Sequence, residues 1–132
     1  MAMQLGDAQA LLGEIFAPWV QALGIEITAI EETGARFRMP GNADLSRGGG
    51  AGGGVVCGQA IGAAADTCSV VALAAVGGAF RPCTTVDLTT HFLRPLPEGA
   101  AEGGLMIEVE ASDGHDNYWI LTPDDIARGA GS

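Results

Sequence analysis

The sequence predicts an α+β fold organised around one long apolar helix. Two observations carry this. The stretch from Val55 to about Val76 is apolar on nearly every side and stops at Gly77-Gly78, and runs of period-two alternation lie both before and after it. A helix with almost no polar face has to be enclosed by a sheet or by a partner subunit, and its many Ala and Gly residues let strands approach closely.

Taken in order, Asp7 is placed to cap a first helix whose apolar residues Leu11, Leu12, Ile15, Phe16, Trp19, Val20 and Leu23 follow helical spacing. Pro18 kinks or ends it, Gly24 stops it, and Phe16 and Trp19 are assigned to packing against the sheet. Ile25, Ile27 and Ala29 alternate with Glu26 and Thr28, and Ala35, Phe37 and Met39 alternate with Arg36 and Arg38. With Glu-Glu-Thr-Gly between them, the two runs read as a β-hairpin with one buried face. Residues 41–54 are loop-like, with seven glycines, and lead into the apolar helix. Cys83 to Leu93 is the best strand by pattern, with Val86, Leu88 and Phe92 on one face and Thr85, Asp87, Thr89 and His91 on the other. A Pro- and Gly-containing turn, Arg94 to Gly99, follows. Leu105, Ile107 and Val109 then alternate with Met106, Glu108 and Glu110 as a further half-buried strand. After Ala111 the pattern decays, with only Tyr118 to Thr122 strand-like, so the expected division is a domain over 1–111 and a divergent tail over 112–132.

Composition narrows the function classes. The 132 residues suit one domain, and the net charge is −10, with sixteen acids against six basic residues, all arginine. That balance opposes a phosphate-tracking surface for DNA or RNA. Three cysteines and no basic-then-apolar leader suggest a reduced, cytoplasmic protein. Asp66 in the middle of the apolar run, and the Gly77-Gly78 break, argue for a buried helix over a membrane span.

The candidate chemistry concentrates in the stretch Gly48 to Cys68. Gly58, Gln59, Gly62, Asp66 and Ser69 recur at spacings of three and four, so on a helix they share one face, and Asp66 is the only charge between Arg47 and Arg81. By composition alone Asp66 is as readily a structural carboxylate as a catalytic one. Gly48, Gly50 and Gly53 satisfy a dinucleotide-binding spacing, but any glycine run does, and the chain has no room for a doubly wound sheet. Cys57 and Cys68 have no CxxC partner, and His91 and His115 join no ligand cluster, so no metal is expected. Cys57, at a helix start, is the more reactive thiol by position. Arg47, Arg81 and Arg94 each adjoin a loop and are candidates for phosphate contacts.

Four short runs carry a family resemblance: Val56-Cys57-Gly58-Gln59, Ala64-Ala65-Asp66-Thr67, Thr84-Thr85-Val86-Asp87-Leu88 and Phe92-Leu93-Arg94-Pro95. In their order and spacing, over roughly residues 10 to 110, the chain resembles the hotdog-fold acyl-CoA thioesterases of the phenylacetate-pathway type. The resemblance implies an antiparallel sheet wrapped around one central helix, and a homodimer or dimer of dimers whose sites form across the interface. It implies that Asp66 acts as general base on water or as nucleophile on the thioester, that Gly58 offers an oxyanion N–H, and that the Thr85 hydroxyl orients water. Many relatives carry His before the oxyanion glycine and Asn further upstream, where this chain has Cys57 and Ala51. Gln59, grouped with the catalytic set, and Asn42 are the polar residues able to stand in, and Cys57, Asn42, Arg47, Arg81 and Arg94 form the expected substrate-binding set. The expected reaction is hydrolysis of an acyl-CoA to free acid and CoA, with no cofactor beyond the CoA of the substrate. The alternative is a hotdog-fold protein that binds an acyl or CoA group without turning it over, or serves as a scaffold. A hydratase on the same fold is weaker, because no Asp and His share a loop motif.

Overall fold

The computed structural model describes residues 2–47, 54–85, 87–93, 95–97, 104–112 and 115–121, with backbone only for Ala43, Ser112 and 115–121. Helices α1 (Leu5–Glu14) and α2 (Pro18–Gln21) precede strands β1 (Glu26–Ile30) and β2 (Gly34–Met39). A single 3-10 turn (Ala43–Leu45), the helix α3 (Gly58–Gly77) and strands β3 (Leu105–Ser112) and β4 (His115–Leu121) follow. The four strands form one antiparallel sheet in the order β1-β2-β3-β4, and α3 packs against it. The architecture is α+β, with the long apolar helix packed by one face against an antiparallel sheet.

Period-two alternation sets the buried face. Ala35, Phe37 and Met39 of β2 stand opposite Val109, Ile107 and Leu105 of β3, and all six are buried. The intervening Arg36 and Arg38 face outward, where Arg36 pairs with Glu31 at 2.7 Å, so this side of the sheet is charged. At the hairpin end, a Cβ on Gly34 would lie 2.1 Å from the Val109 carbonyl oxygen, so β2 can meet β3 there only without a side chain. The helix contributes Ala60, Ile61, Ala64, Cys68, Val71, Ala72 and Ala75 to the same core, a helical repeat of mostly small residues that brings sheet and helix close.

The ends of α3 are fixed by different means. Gly78 adopts φ 89° and its N–H donates to the Ala74 carbonyl at 2.9 Å, a left-handed glycine cap as the Gly77-Gly78 pair predicted. At the start, α3 begins at Gly58 rather than Val55, because Val55 and Val56 are drawn into isolated bridges with Pro97 and Ser46. Helix α1 is held by the Met3 N–H on the Ala75 carbonyl (2.8 Å), while Gln9 Oε1 accepts from the Ile27 N–H (2.9 Å).

Several expectations are corrected. Gln4, not Asp7, occupies the N-cap of α1, without a side-chain bond, and Asp7 lies in the first turn, where its charge suits the helix dipole. Pro18 ends one helix by starting another, at the position where its missing N–H costs nothing. Trp19 on that short helix is 64% exposed and outside the core cluster, whereas Phe16 lies against the core. The described residues of Cys83 to Leu93 form no strand, although this run had the strongest strand pattern. Alternation fixes which side chains share a face but supplies no neighbour to pair with, and β1 and β4 end the sheet without this segment. Leu88 and Phe92 are therefore 40% and 62% exposed instead of buried, and Leu93 is 91% exposed. Strand β4 starts at His115, three residues before the expected Tyr118, because continued pairing with β3 extends it. The glycines at 48–53, Val86, Arg94, the turn residues 98–99 and the tail from 122 lie outside the described residues.

Candidate functional site

The face of α3 turned away from the sheet carries the candidate residues. Gly58 and Gln59 are exposed, and Gly62, Asp66 and Ser69 are half-buried, so the face predicted by spacing is the one left uncovered. Two features of it bear on chemistry.

The first is the helix start. Cys57 occupies the N-cap with extended backbone (φ −68°, ψ 150°) and makes no side-chain cap bond. The first intrahelical bond runs from the Ile61 N–H to the Cys57 carbonyl at 3.3 Å. The N–H groups of Gly58, Gln59 and Ala60 thus lie ahead of the ladder, at the positive end of the helix dipole. This start is braced from two sides: the Cys57 N–H donates to the Leu45 carbonyl (2.7 Å) and the Val56 N–H to the Leu96 carbonyl (2.8 Å).

The second is Asp66, two turns further along. Its Oδ1 accepts a hydrogen bond from the Thr85 hydroxyl, the pairing that joins the two residues expected to work together. Gly58 and Asp66, eight residues apart, are about 12 Å from each other along the helix axis. From Thr85 the chain runs back along α3: the Phe92 ring stands near the helix start, 3.7 Å from where a Cβ on Gly58 would be, and the Leu96 carbonyl accepts from the Val56 N–H.

The remaining candidates are distributed around these features. Arg47 is exposed, and its N–H donates to the Val55 carbonyl (2.8 Å), which keeps it near the helix start. Asn42 is committed locally: its Oδ1 accepts from the Asp44 N–H at 2.9 Å, shaping the turn that leads to Leu45. Arg81 is exposed and lies between the end of α3 and Thr85 in the chain. Arg94 lies outside the described residues, two positions after Phe92. Cys68 is fully buried, which pushes its thiol well above the usual range and removes it as a nucleophile. Among the described residues no three His, Cys, Asp or Glu side chains gather where they could hold a metal ion. Phe92 is the neighbour that sequence reasoning missed. The alternation placed it in a buried strand face, and nothing in the sequence signals its packing on a glycine 34 positions earlier.

No protein-family model and no curated protein matches this chain. A crystal structure of a Pseudomonas aeruginosa protein, determined by a structural genomics consortium and carrying no named function, matches with a TM-score of 0.64 and 24% identity. The match covers 90% of this chain and 88% of that one. At such identity the likeness speaks for the fold alone, an α+β chain with a long helix packed on an antiparallel sheet.

Proposed function

We propose that this protein is a hotdog-fold acyl-CoA thioesterase, hydrolysing an acyl-CoA to the free acid and CoA as a homodimer or dimer of dimers. The observation that carries the reading is Asp66: the only charge in an apolar helix, on its uncovered face, held by the Thr85 hydroxyl. In this reading Thr85 fixes the carboxylate rotamer through Oδ1 and leaves the second oxygen for a water molecule. As general base, Asp66 takes a proton from that water while its oxygen bonds to the thioester carbonyl carbon. The carbonyl electron pair moves to oxygen and is stabilised by the Gly58 N–H and the helix dipole. Collapse reforms the carbonyl, breaks the C–S bond and releases CoA thiolate, which picks up the proton. Asp66 acting as a nucleophile gives the same products through an anhydride that water then opens.

The separation of about 12 Å between Gly58 and Asp66 exceeds the span of one thioester group, so one chain's helix start works with the carboxylate of a second copy. Exposed Leu88 and the half-buried α3 residues Ala63, Val70 and Leu73 supply apolar surface for such a partner. The second reading is an acyl- or CoA-binding protein without turnover. It is favoured by Cys57, a thiol at the N-cap where many enzymes of the resembled family carry imidazole.

The test is a thiol-release screen of the purified protein over acyl-CoAs of varied chain length. Sustained release at catalytic protein concentration supports the enzyme, whereas calorimetric CoA-ester binding with no release supports the binder and removes the thioesterase. Gly58 offers a sharper probe, because a Cβ there would make only ordinary contact, 3.7 Å from the Phe92 ring. Gly58→Ala is expected to keep or raise stability, by up to about 1 kcal/mol. It is also expected to cut kcat/KM by about tenfold or more, since the methyl stands where the thioester approaches. Equal activity in the alanine variant would place the reacting carbonyl elsewhere.

A further inference from the structure

We infer that Phe92 is the residue that sets acyl specificity at the helix start, admitting acyl groups that are straight next to the carbonyl and rejecting those branched there. The inference rests on the thioesterase reading above and adds to it which side chain selects the substrate and on what property.

Three observations support it. Outside the chain neighbours and the helix's own backbone, the only atoms among the described residues that a Cβ on Gly58 would meet within 4 Å belong to Phe92: Cζ at 3.7 Å and Cε1 at 3.8 Å. The ring therefore flanks the helix start on one side. Second, Phe92 is 62% exposed, so it presents apolar surface to solvent beside the helix start. Third, its segment is held in place at both ends without belonging to a strand. Thr85 is bound to Asp66, and buried Leu96 accepts from the Val56 N–H at 2.8 Å.

A carbonyl oxygen accepting from the Gly58 N–H would sit about 3 Å from that nitrogen, which brings the carbonyl carbon and the first acyl carbon beside the same Cα that Phe92 flanks. A straight methylene chain can lie flat on the ring and cover it. A methyl branch on the first carbon points into the ring, and neither side yields easily, because the helix start is braced and the segment is tied. One methyl group placed against an apolar wall changes discrimination by about tenfold.

The experiment uses the full chain and measures kcat and KM for butyryl-CoA and isobutyryl-CoA with wild type, Phe92→Ala and Trp19→Ala, each checked for oligomeric state by sedimentation. Trp19 is 64% exposed on α2 and serves as a matched control for removing an exposed ring. The expected result is a wild-type preference for the straight chain that falls about tenfold in Phe92→Ala, through a gain on the branched ester, and is unchanged in Trp19→Ala. An unchanged ratio in Phe92→Ala overturns the inference and leaves the thioesterase reading standing. So does an equal loss on both esters accompanied by dissociation, since Phe92 would then be an interface residue. No thiol release by wild type from any ester removes the reading itself, and the inference with it.

Discussion

Asp66→Ala is expected to lose about 10²-fold to 10⁴-fold in kcat for thioester hydrolysis while remaining folded, the range that a positioned general base contributes. Stability should change by no more than about 1 kcal/mol, because the better helix propensity of Ala is offset by loss of the bond from the exposed Thr85 hydroxyl. Asp66→Asn separates the base from the shape. Its amide oxygen can still accept from the Thr85 hydroxyl, so the local geometry persists, but it cannot take a proton from water, and the loss should match that of the alanine variant. Thiol release is followed at catalytic protein concentration, where exposed Cys83 and half-buried Cys57 contribute only a stoichiometric background and buried Cys68 none. Unchanged turnover in a folded Asp66→Ala protein would remove Asp66 from the mechanism, and with it the observation on which the functional reading rests.

Phe37→Ala should be the most damaging single truncation to the fold, at about 3–5 kcal/mol. The ring has no solvent exposure; it stands between Ile27 on one neighbouring strand and Ile107 on the other and packs in the core that includes α3. Its loss opens a cavity bounded by strands on both sides, so little can collapse into it. Against a total of about 5–15 kcal/mol for a domain, this is enough to bring the protein to the edge of unfolding. Urea denaturation followed by circular dichroism measures it. A cost under about 1 kcal/mol would mean that the sheet and helix do not share one packed core.

The parts of the fold that declared themselves in the sequence are those set by local periodicity. The hairpin of β1 and β2, the strand β3 and the span of α3 are all visible as repeats of two or of three and four, because one face of each is packed and the other is not. The uncovered face of α3 was legible for the same reason: Gly58, Gln59, Gly62, Asp66 and Ser69 interrupt the apolar pattern at one helical phase. What was not legible depends on neighbours distant in sequence. The segment from Cys83 to Leu93 carries a strand's alternation, but whether it enters a ladder is decided by what lies beside it. One of its attachments, the Thr85 hydroxyl on Asp66, links it to a helix, and the Phe92 ring stands beside that helix's start. Asn42 shows the converse. The family resemblance offered it as a stand-in for a missing polar group, and what the fold adds is local: its Oδ1 accepts from the N–H two residues on.

The order of the strands also governs how the chain reaches its native state. The two hairpins, β1 with β2 and β3 with β4, join segments adjacent in sequence and can close on the microsecond scale. Pairing β2 with β3 instead requires the chain to close a loop over residues 40–104, which contains all of α3 and the segment that carries Thr85 and Phe92. That closure has to offset the loop entropy before the contacts of Phe37 and Ile107 reward it, so it sets the folding rate. A chain halted before this step would hold two small hairpins and an apolar helix with nothing to cover it, the species most prone to aggregate.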